Sequence, residues 1–210
     1  MSAYRRTICG VDEAGRGPLA GPVVVAAVVL DRANPIAGLA DSKTLSADVR
    51  EALYDAILAS AVVSVVSVGP ARIDAMNIRA ATLWGMRQAV MGLCPEVDAA
   101  LVDGRDVPPG LTMRCRALIK GDARSASIAA ASIVAKVTRD RIMTRLARSE
   151  PQYGFDRHKG YPTQAHRDAL EVYGPTRHHR MSFAPVRAAA AAARAEAAAT
   201  MHAAPLAVPA

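Results

Sequence analysis

A glycine-rich loop joins two short apolar segments near the start of the chain, and the first segment ends in two adjacent acids. Residues 8–22 read Ile-Cys-Gly-Val-Asp-Glu-Ala-Gly-Arg-Gly-Pro-Leu-Ala-Gly-Pro, and the valine-rich segment Val23–Leu30 follows at once. Apolar segments of this length, bounded by glycine and proline, favour strands. We therefore predict strands over Thr7–Asp12 and Val23–Leu30, paired antiparallel because the connection between them is short.

The loop after the two acids has the composition of a site for metal and phosphate. Asp12 and Glu13 supply carboxylate oxygens, which hard divalent cations prefer as ligands. Gly15 and Gly17 let backbone N–H groups approach a phosphate closely, and Arg16 between them can make a charge-assisted contact to it. A dinucleotide loop of the Rossmann type is excluded because a strand, and not a helix, is predicted after the glycines. Metal ligands beside a phosphate cradle indicate phosphodiester chemistry.

The remaining segments alternate between strand-like and helix-like, which predicts an α/β domain. Further strands are expected at Ala61–Val68, Ala99–Val102 and Leu111–Leu118, and helices at Ser46–Ala59, Ile78–Met91 and Ser125–Arg148. In the first of these helices Val49, Leu53, Ala56 and Ile57 fall on one face, which we expect to be buried. The first half of the long helix is nearly all small residues, which permits close packing on a sheet.

Composition divides the chain into three parts. Residues 1–150 carry all the predicted strands and form the α/β domain. Residues 151–187, where glycine, proline, histidine and arginine surround one helical stretch at Thr163–Val172, are expected to form a helical cap. Residues 188–210 form an alanine-rich tail of low complexity, which we expect to begin as a helix, to fray, and to have too few large apolar side chains to pack.

The charge balance points to a polyanionic partner. Lysine and arginine number 26 against 19 acids, and the net charge of +7 favours nucleic acid through neutralisation of phosphates. Cys9, Cys94 and Cys115 form no C-x-x-C pair, so we expect reduced cysteines and neither disulfide nor zinc. The longest apolar run, Val23–Leu30, is too short to cross a bilayer and no secretory segment begins the chain, so we expect a cytoplasmic protein that does not bind membranes.

Two further acids lie where a strand or a helix meets a loop. Asp103 follows the short apolar strand, and Asp122 lies before the long helix. Taken alone, each is most simply a turn or capping residue. If the strands before Asp12 and Asp103 are neighbours, the two acids converge at one edge of the sheet. Clustered carboxylates repel one another, and we expect divalent metal to compensate. Two ions about 3.5–4 Å apart would activate a water and stabilise the leaving oxygen of a phosphodiester.

Two basic loops are candidates for substrate contact. Lys43 either belongs to a solvated turn or meets a backbone phosphate. Tyr161 either packs in the cap or stacks on a sugar or base while Lys159 meets a phosphate. The run His178-His179-Arg180 favours a basic patch or structural hydrogen bonding over a metal pair, because zinc requires more ligands at defined spacing.

The motifs resemble, in order, those of bacterial type 2 ribonuclease H, the ribonuclease HII family. The matching segments are GVDEAGRGPLAGPVV at 10–24, DSKTLS at 41–46, LVDGR at 101–105, KGDARSASIAAASIVAKVTRDR at 120–141, HKGYPTQAH at 158–166 and HRMSF at 179–183. The resemblance implies a ribonuclease H-like fold, in which a mixed central β-sheet is flanked by helices, with residues 1–150 as the catalytic domain and a small C-terminal helical cap.

The resemblance also implies an activity. Such an endonuclease cleaves the RNA strand of RNA–DNA hybrids and nicks 5′ to single ribonucleotides embedded in duplex DNA. It acts by two-metal-ion hydrolysis with Mn²⁺ or Mg²⁺ and leaves 5′-phosphate and 3′-hydroxyl ends. The residues that would serve both as metal ligands and in catalysis are Asp12, Glu13, Asp103 and Asp122.

Substrate contacts follow from the same resemblance. The Gly15-Arg16-Gly17 segment would contact the ribonucleotide 2′-hydroxyl through backbone groups, which distinguishes RNA from DNA. Tyr161 would lie against the sugar on the 3′ side of the scissile bond, and Lys43 would hold a phosphate. His166 and His179 match family positions, but their chemistry assigns them no role. We expect a monomer, because no large exposed apolar stripe is evident.

Two other classes of function match parts of the sequence. The first is a non-catalytic module that binds hybrid or duplex, which would not require clustered carboxylates facing a polyanion. The second is a metal-dependent phosphatase acting on small nucleotides, which would not require a basic cap or a net charge of +7.

Overall fold

Five strands form one mixed sheet at the centre of the fold; the computed structural model describes residues 7–93 and 97–203, so Cys94 lies outside it. In chain order the strands are β1 (Ile8–Ala14), β2 (Val23–Leu30), β3 (Ala61–Val68), β4 (Ala99–Asp103) and β5 (Arg114–Leu118). Their order in space is β3-β2-β1-β4-β5. Strand β1 pairs antiparallel with β2 and parallel with β4, whereas β2–β3 is antiparallel and β4–β5 parallel. The predicted hairpin of the first two strands is confirmed.

Helices flank this sheet and extend beyond it. They are α1 (Ala47–Ser60), α2 (Pro70–Met76), α3 (Ile78–Met91), α4 (Ala126–Ser149), α5 (Phe155–His158), α6 (Gln164–Tyr173) and α7 (Ala184–Ala203), with single 3₁₀ turns at Gly121–Ala123 and Pro151–Tyr153. The sequence did not indicate α2, because its seven residues bury only Ile73 and carry no apolar period. In α1 the expected burial of Leu53 and Ile57 is confirmed, but Val49 and Ala56 are exposed, so the buried face is narrower than predicted.

Helix α4 packs very closely on strand β1. A side chain on Gly10 would place its β-carbon 2.1 Å from the backbone carbonyl carbon of Ser127 and 2.3 Å from the nitrogen of Ile128, so glycine is required there. The residues of α4 that follow are small and buried; they include Ala129, Ala130, Ala131 and Ser132. The predicted close packing is confirmed, and it places the start of α4 beside β1.

The two faces of the sheet bury different sets of side chains. Val24, Ala26 and Val28 of β2 pack with Ile133 and Val134 of α4, along with further residues of α1 and α4. The opposite face is covered by α3, which contributes Met86, Ala89 and Val90. Cys9 and Cys115 are free thiols, as predicted, and burial raises the pKa of Cys9 to about 12. None of the described helices is both long enough and apolar enough to span a bilayer.

The cap has its own small core, and the alanine-rich tail contributes to it. Leu19 and Met143 pack there with five buried residues of the cap, which are Tyr153, Phe155, Ala169, Leu170 and Val186. Helix α7 runs without a break from 184 to 203, and Ala190 is 8% exposed. The expectation that the tail from residue 188 would not pack is therefore wrong for its first turn, because Val186 anchors the helix on α6.

Two histidines are also buried in the cap. His166 is 0% and His179 1% exposed, and both contact the aromatic rings of Tyr153 and Phe155. Burial lowers the pKa of His179 to about 3, and burial likewise lowers the pKa of His166. Burial thus favours the neutral form of both imidazoles.

We expect His179 to make a contribution to stability that is lost as the pH falls from about 6.5, the ordinary histidine pKa, toward 3. In that window the unfolded chain binds a proton at His179 that the folded chain does not, so the free energy of unfolding falls by about 1.4 kcal/mol per pH unit. Urea unfolding at pH 7 and pH 5.5 would measure this slope. The variant His179→Asn should have a shallower slope, and an unchanged slope would contradict the assignment.

Candidate active site

Three carboxylates from three separate elements converge at one edge of the sheet. Asp12 lies near the end of β1, Asp103 is the last residue of β4, and Asp122 lies in the 3₁₀ turn before α4. One oxygen of each lies within 4.8 Å of the others. The first two meet because parallel neighbouring strands end at the same edge, as the sequence predicted. Oxygen ligands at this spacing suit Mg²⁺ or Mn²⁺.

Backbone amides orient each of these carboxylates. Asp12 accepts a hydrogen bond from the amide of Glu13 (2.7 Å), and Asp103 accepts one from the amide of Gly121 (2.7 Å). Asp122 accepts one from the amide of Ala123 at 3.0 Å. These bonds leave further carboxylate lone pairs free for a cation, because each carboxylate has about four acceptor positions.

The cluster disfavours its own ionised form. Burial, followed by the charges of Glu13 and Asp103, raises the pKa of Asp12 well above its ordinary value. Burial also raises the pKa of Glu13, although the nearby Arg16 partly opposes this effect. Buried like charges cost free energy until a cation compensates them, so the donor set and its electrostatics both fit a divalent metal.

Glu13 lies next to the cluster and not within the group of three. Its side chain points into a pocket that it shares with Arg16 and Asp103, and Arg79 and Arg105 also line that pocket. An Nη1 nitrogen of Arg16 lies 3.6 Å from Oε1 of Glu13. The structure thus places an acid and several cations at the mouth of the carboxylate cluster.

Lys43 reaches the same cluster from the loop before α1. Its amine lies 3.7 Å from Asp122 and 3.9 Å from Asp41, and its side chain is 79% exposed. The loop is tied to the site by a buried hydrogen bond of 2.7 Å between the hydroxyls of Ser42 and Ser132. Ser132 also hydrogen-bonds Asp12. The sequence did not indicate either serine, because both are short polar residues without a distinctive pattern.

Tyr161 lies beside the glycine loop. A β-carbon on Gly17 would lie 3.8 Å from its Cε1 atom, and the tyrosine is 42% exposed. The amide of Leu19 donates to the carbonyl of Gly160 at 2.8 Å, which joins the two loops. The ring is therefore partly exposed at the surface of the site.

Two buried arginines hold the glycine loop by its carbonyl groups. Arg180 donates to the oxygens of Gly15 (2.6 Å), Arg16 (2.8 Å) and Gly21 (3.0 Å). Because a trans peptide points its N–H opposite to the preceding C=O, the amides of Arg16 and Gly17 are turned away from Arg180. The loop therefore presents donors on its other side.

Arg139 of α4 also donates hydrogen bonds to the glycine loop and to the turn before Tyr161. It donates to the carbonyls of Pro22 (3.0 Å), Lys159 (2.9 Å) and Ala20 (3.3 Å). Both guanidiniums are almost fully buried, and neither forms an ion pair with any described carboxylate. Burial, with the charge of Arg139, lowers the pKa of Arg180 to about 9. Structural hydrogen bonding, the role favoured for the run at 178–180, is thus observed for Arg180.

Sequence reasoning missed Arg139, although a signal was present. Arg139 lies seven positions after Ser132 on α4, so helical periodicity places it on the buried face. The neighbouring Asp140 pairs with Lys136 at 2.8 Å and lies outside the carboxylate cluster.

Replacing Arg180 by methionine should destabilise the fold by about 2–4 kcal/mol, because three carbonyl groups lose their donor in a buried region. Urea unfolding would measure the loss. The exposed Arg177 provides a matched control, and Arg177→Met should change stability by less than about 0.5 kcal/mol. Equal effects of the two substitutions would contradict this role for Arg180.

Replacing Asp12 by asparagine should stabilise the metal-free protein by about 0.5–2 kcal/mol, the range seen when strain at a functional site is relieved. The same change should weaken Mn²⁺ binding at least about tenfold, because one anionic ligand is lost. Thermal unfolding in EDTA and titration calorimetry with Mn²⁺ would measure the two effects. Asp140→Asn is the control, and it should leave Mn²⁺ affinity unchanged.

Comparison with known proteins agrees with this geometry. The chain matches the family model for Ribonuclease HII over residues 9–186. It is 58% identical over 180 residues to a ribonuclease HII of Rhizobium meliloti (strain 1021), covering 86% of this chain and 83% of the relative. A ribonuclease HII of Brucella ovis is 59% identical over 189 residues, covering 89% of this chain and 86% of that protein.

The fold is shared with a solved structure as well. The crystal structure of the ribonuclease H2 from Pyrococcus horikoshii OT3 matches with a TM-score of 0.77 at 28% identity, covering 90% of this chain and 99% of that one. This confirms the predicted ribonuclease H-like fold. The chain belongs to the ribonuclease HII family and is a metal-dependent endonuclease that acts on RNA in RNA–DNA hybrids.

Proposed function

We propose that the protein also nicks duplex DNA on the 5′ side of a single embedded ribonucleotide, leaving 5′-phosphate and 3′-hydroxyl ends. The observation that carries this proposal is the juxtaposition of the carboxylate cluster with a glycine loop whose outward side presents backbone donors. A site of this kind reads one nucleotide at the point of cleavage and does not require a long stretch of RNA.

Asp12, Asp103 and Asp122 are the residues proposed to hold Mg²⁺ or Mn²⁺, with Glu13 completing the set. Two such ions, when bound, would activate the attacking water and stabilise the leaving oxygen of the phosphodiester. The contribution of the chain is to orient the carboxylates, through the amides of Glu13, Gly121 and Ala123. All four acids are thus proposed as catalytic residues.

The glycine loop is the proposed sensor of the ribose. Arg180 holds the carbonyls of Gly15 and Arg16, so the amides of Arg16 and Gly17 face outward. A 2′-hydroxyl both donates and accepts hydrogen bonds, and it is the group that distinguishes RNA from DNA. Arg16, whose side chain is half exposed, is available for a phosphate beside this ribose.

Tyr161 is proposed to contact the next sugar on the 3′ side. Its exposed ring lies next to Gly17, so a nucleotide held by the glycine loop would have its neighbour against the ring. A flat aromatic face packs well on a deoxyribose that lacks the 2′-hydroxyl. The pair Gly17 and Tyr161 would thereby recognise a ribonucleotide followed by DNA.

Lys43 is proposed to hold a backbone phosphate. Its amine lies 3.7 Å from Asp122, where it offsets part of the negative charge of the cluster. The side chain is 79% exposed and can turn from this carboxylate to a phosphate. Lysine acts here as a point charge and needs no fixed geometry.

In this proposal the catalytic domain and the cap supply different groups of the site. Residues 1–150 supply the carboxylates, and the cap at 151–187 supplies Tyr161 and Arg180. We also propose that the protein acts as a monomer. We also propose that the protein acts in the cytoplasm. A DNA substrate supports this proposal, and so does the free, buried thiol of Cys9.

A duplex DNA with one ribonucleotide tests the proposal directly. Incubation with Mn²⁺ or Mg²⁺ should give a single nick on the 5′ side of the ribonucleotide, and EDTA should abolish it. Asp12→Asn should abolish cleavage while largely preserving hybrid binding. Cleavage of a long hybrid without cleavage of this duplex would refute the proposed recognition and leave the metal site in place.

Replacing Tyr161 by alanine should reduce cleavage at a single ribonucleotide about 5–100-fold more than cleavage of a long hybrid, the range expected for loss of one stacking contact. The measurement is kcat/KM on the two substrates. Tyr173, an exposed tyrosine of the same cap, provides the control substitution. Equal losses on both substrates would exclude Tyr161 as the junction sensor.

A further inference from the structure

Three histidines of the cap form hydrogen bonds that end on either side of Tyr161. Nδ1 of His166 lies 3.0 Å from the carbonyl oxygen of Tyr161. Nε2 of the same ring lies 3.1 Å from Nε2 of His179. His158 contacts the amide of Gly160 through Nδ1 at 3.2 Å and the carbonyl of Tyr153 through Nε2 at 2.7 Å. The site chemistry described above uses none of these imidazoles.

The partners of His166 and His179 define one tautomer for each. A carbonyl oxygen only accepts, so Nδ1 of His166 carries the proton that is donated to Tyr161. Nε2 of a neutral His166 is then an acceptor, and Nε2 of His179 must donate to it. Nδ1 of His179 accepts in turn from the amide of Thr176 at 3.0 Å, which closes the chain of bonds.

The partners of His158 likewise define one tautomer. The amide of Gly160 only donates, so Nδ1 of His158 accepts, and Nε2 donates to the carbonyl of Tyr153. The rings of His158 and His166 stack with their centroids 4.7 Å apart. All six ring nitrogens of the three histidines therefore have partners, and each nitrogen has one definite role.

The segment that these histidines hold has an unfavourable backbone conformation. Lys159 and Gly160 both have positive φ, at 50° and 80°. A non-glycine residue in this region costs about 1–2 kcal/mol, so the turn persists only where its surroundings hold it. Its anchors are Arg139 on the carbonyl of Lys159 and Leu19 on the carbonyl of Gly160. The imidazoles of His158 and His166 add contacts to the amide of Gly160 and to the carbonyl of Tyr161.

We propose that His158, His166 and His179 are positioning residues that fix Tyr161 against the glycine loop and thereby set the preference for a ribonucleotide followed by DNA. The inference rests on the proposed role of Tyr161. A ring that is held in place before substrate arrives loses little entropy on binding, and a displacement of about 1 Å is enough to weaken such a contact.

Histidine suits this position for a specific reason. The rigid imidazole donates from one edge and accepts at the other, so it links Tyr161 to His179 in a single step. Asparagine at position 166 keeps a donor near the place of Nδ1 but does not reach His179. Phenylalanine keeps the flat ring and loses both hydrogen bonds. The two substitutions therefore separate the bond to Tyr161 from the volume of the side chain.

Hydrogen exchange measures the anchoring without any substrate. In His166→Phe the amides of Tyr161 and Thr163 should exchange at least about tenfold faster than in the wild type, and in His166→Asn clearly less so. The amide of Thr163 is informative because it donates to the carbonyl of Tyr161. His178→Asn, a partly exposed neighbour outside the chain of bonds, is the control. Unchanged exchange in His166→Phe would overturn the proposal.

Kinetics test the consequence for specificity. His166→Phe should lower the ratio of kcat/KM on the single-ribonucleotide duplex to kcat/KM on a long hybrid, toward the ratio of Tyr161→Ala. The double variant should have no lower ratio than Tyr161→Ala alone, because both changes remove one recognition element. Equal losses on both substrates, or additive losses of the ratio, would overturn the positioning role.

The two experiments separate this inference from the proposed function. If Tyr161→Ala leaves the ratio unchanged, the role of the tyrosine fails, and the exchange rates still decide whether the histidines anchor its loop. If Tyr161→Ala lowers the ratio and His166→Phe does not, the role of the tyrosine stands and the inference about the histidines fails. Should His166→Phe not fold, His158→Phe, which removes the contact to the amide of Gly160, supplies the same comparison.

Discussion

The close contact between helix α4 and strand β1 at Gly10 determines where the rest of the structure lies. A β-carbon at this position would overlap the backbone of Ser127. Because glycine has none, the helix can rest almost directly on the strand. Helix α4 then contributes to three regions: Ser132 bonds to Asp12, Arg139 supports the glycine loop, and Met143 enters the core of the cap. Sheet, site and cap are therefore held in register by one packed element.

The site keeps buried charges of opposite sign apart, although pairing them would stabilise the fold. Asp12 and its neighbours repel one another at the sheet edge, while Arg139 and Arg180 are satisfied by carbonyls of the loop between. A salt bridge across the loop would neutralise the carboxylates and remove their attraction for a cation. Backbone oxygens accept hydrogen bonds from the guanidiniums and leave the charge of the carboxylates in place. The same hydrogen bonds turn the loop amides outward. The mutual repulsion of these carboxylates is thus a cost in stability that binding of a cation requires.

The sequence permitted some of these features to be predicted and concealed others. The convergence of Asp12 and Asp103 was predictable because it follows from strand polarity, and the strand periodicity was strong. The role of Arg180 was not, because its partners are backbone carbonyls, which carry no residue identity. The tail was misjudged for a related reason: Val186 is one apolar residue before a run of alanines, yet it anchors the start of α7 on the cap. Composition describes the average of a segment and misses a single anchor.

Under the proposed function, the cap lets one chain combine a general chemistry with a specific substrate. The carboxylates depend on the sheet and on the start of α4, whereas Tyr161 depends on a strained turn held by histidines and by Arg139. Because different elements hold the two groups, a change in the cap can alter the choice of substrate while leaving the metal ligands in place. Arg139 is the exception, since it contacts both the glycine loop and the turn at Lys159. Substitution of this one arginine should therefore disturb both halves of the recognition surface together, which no single histidine can do.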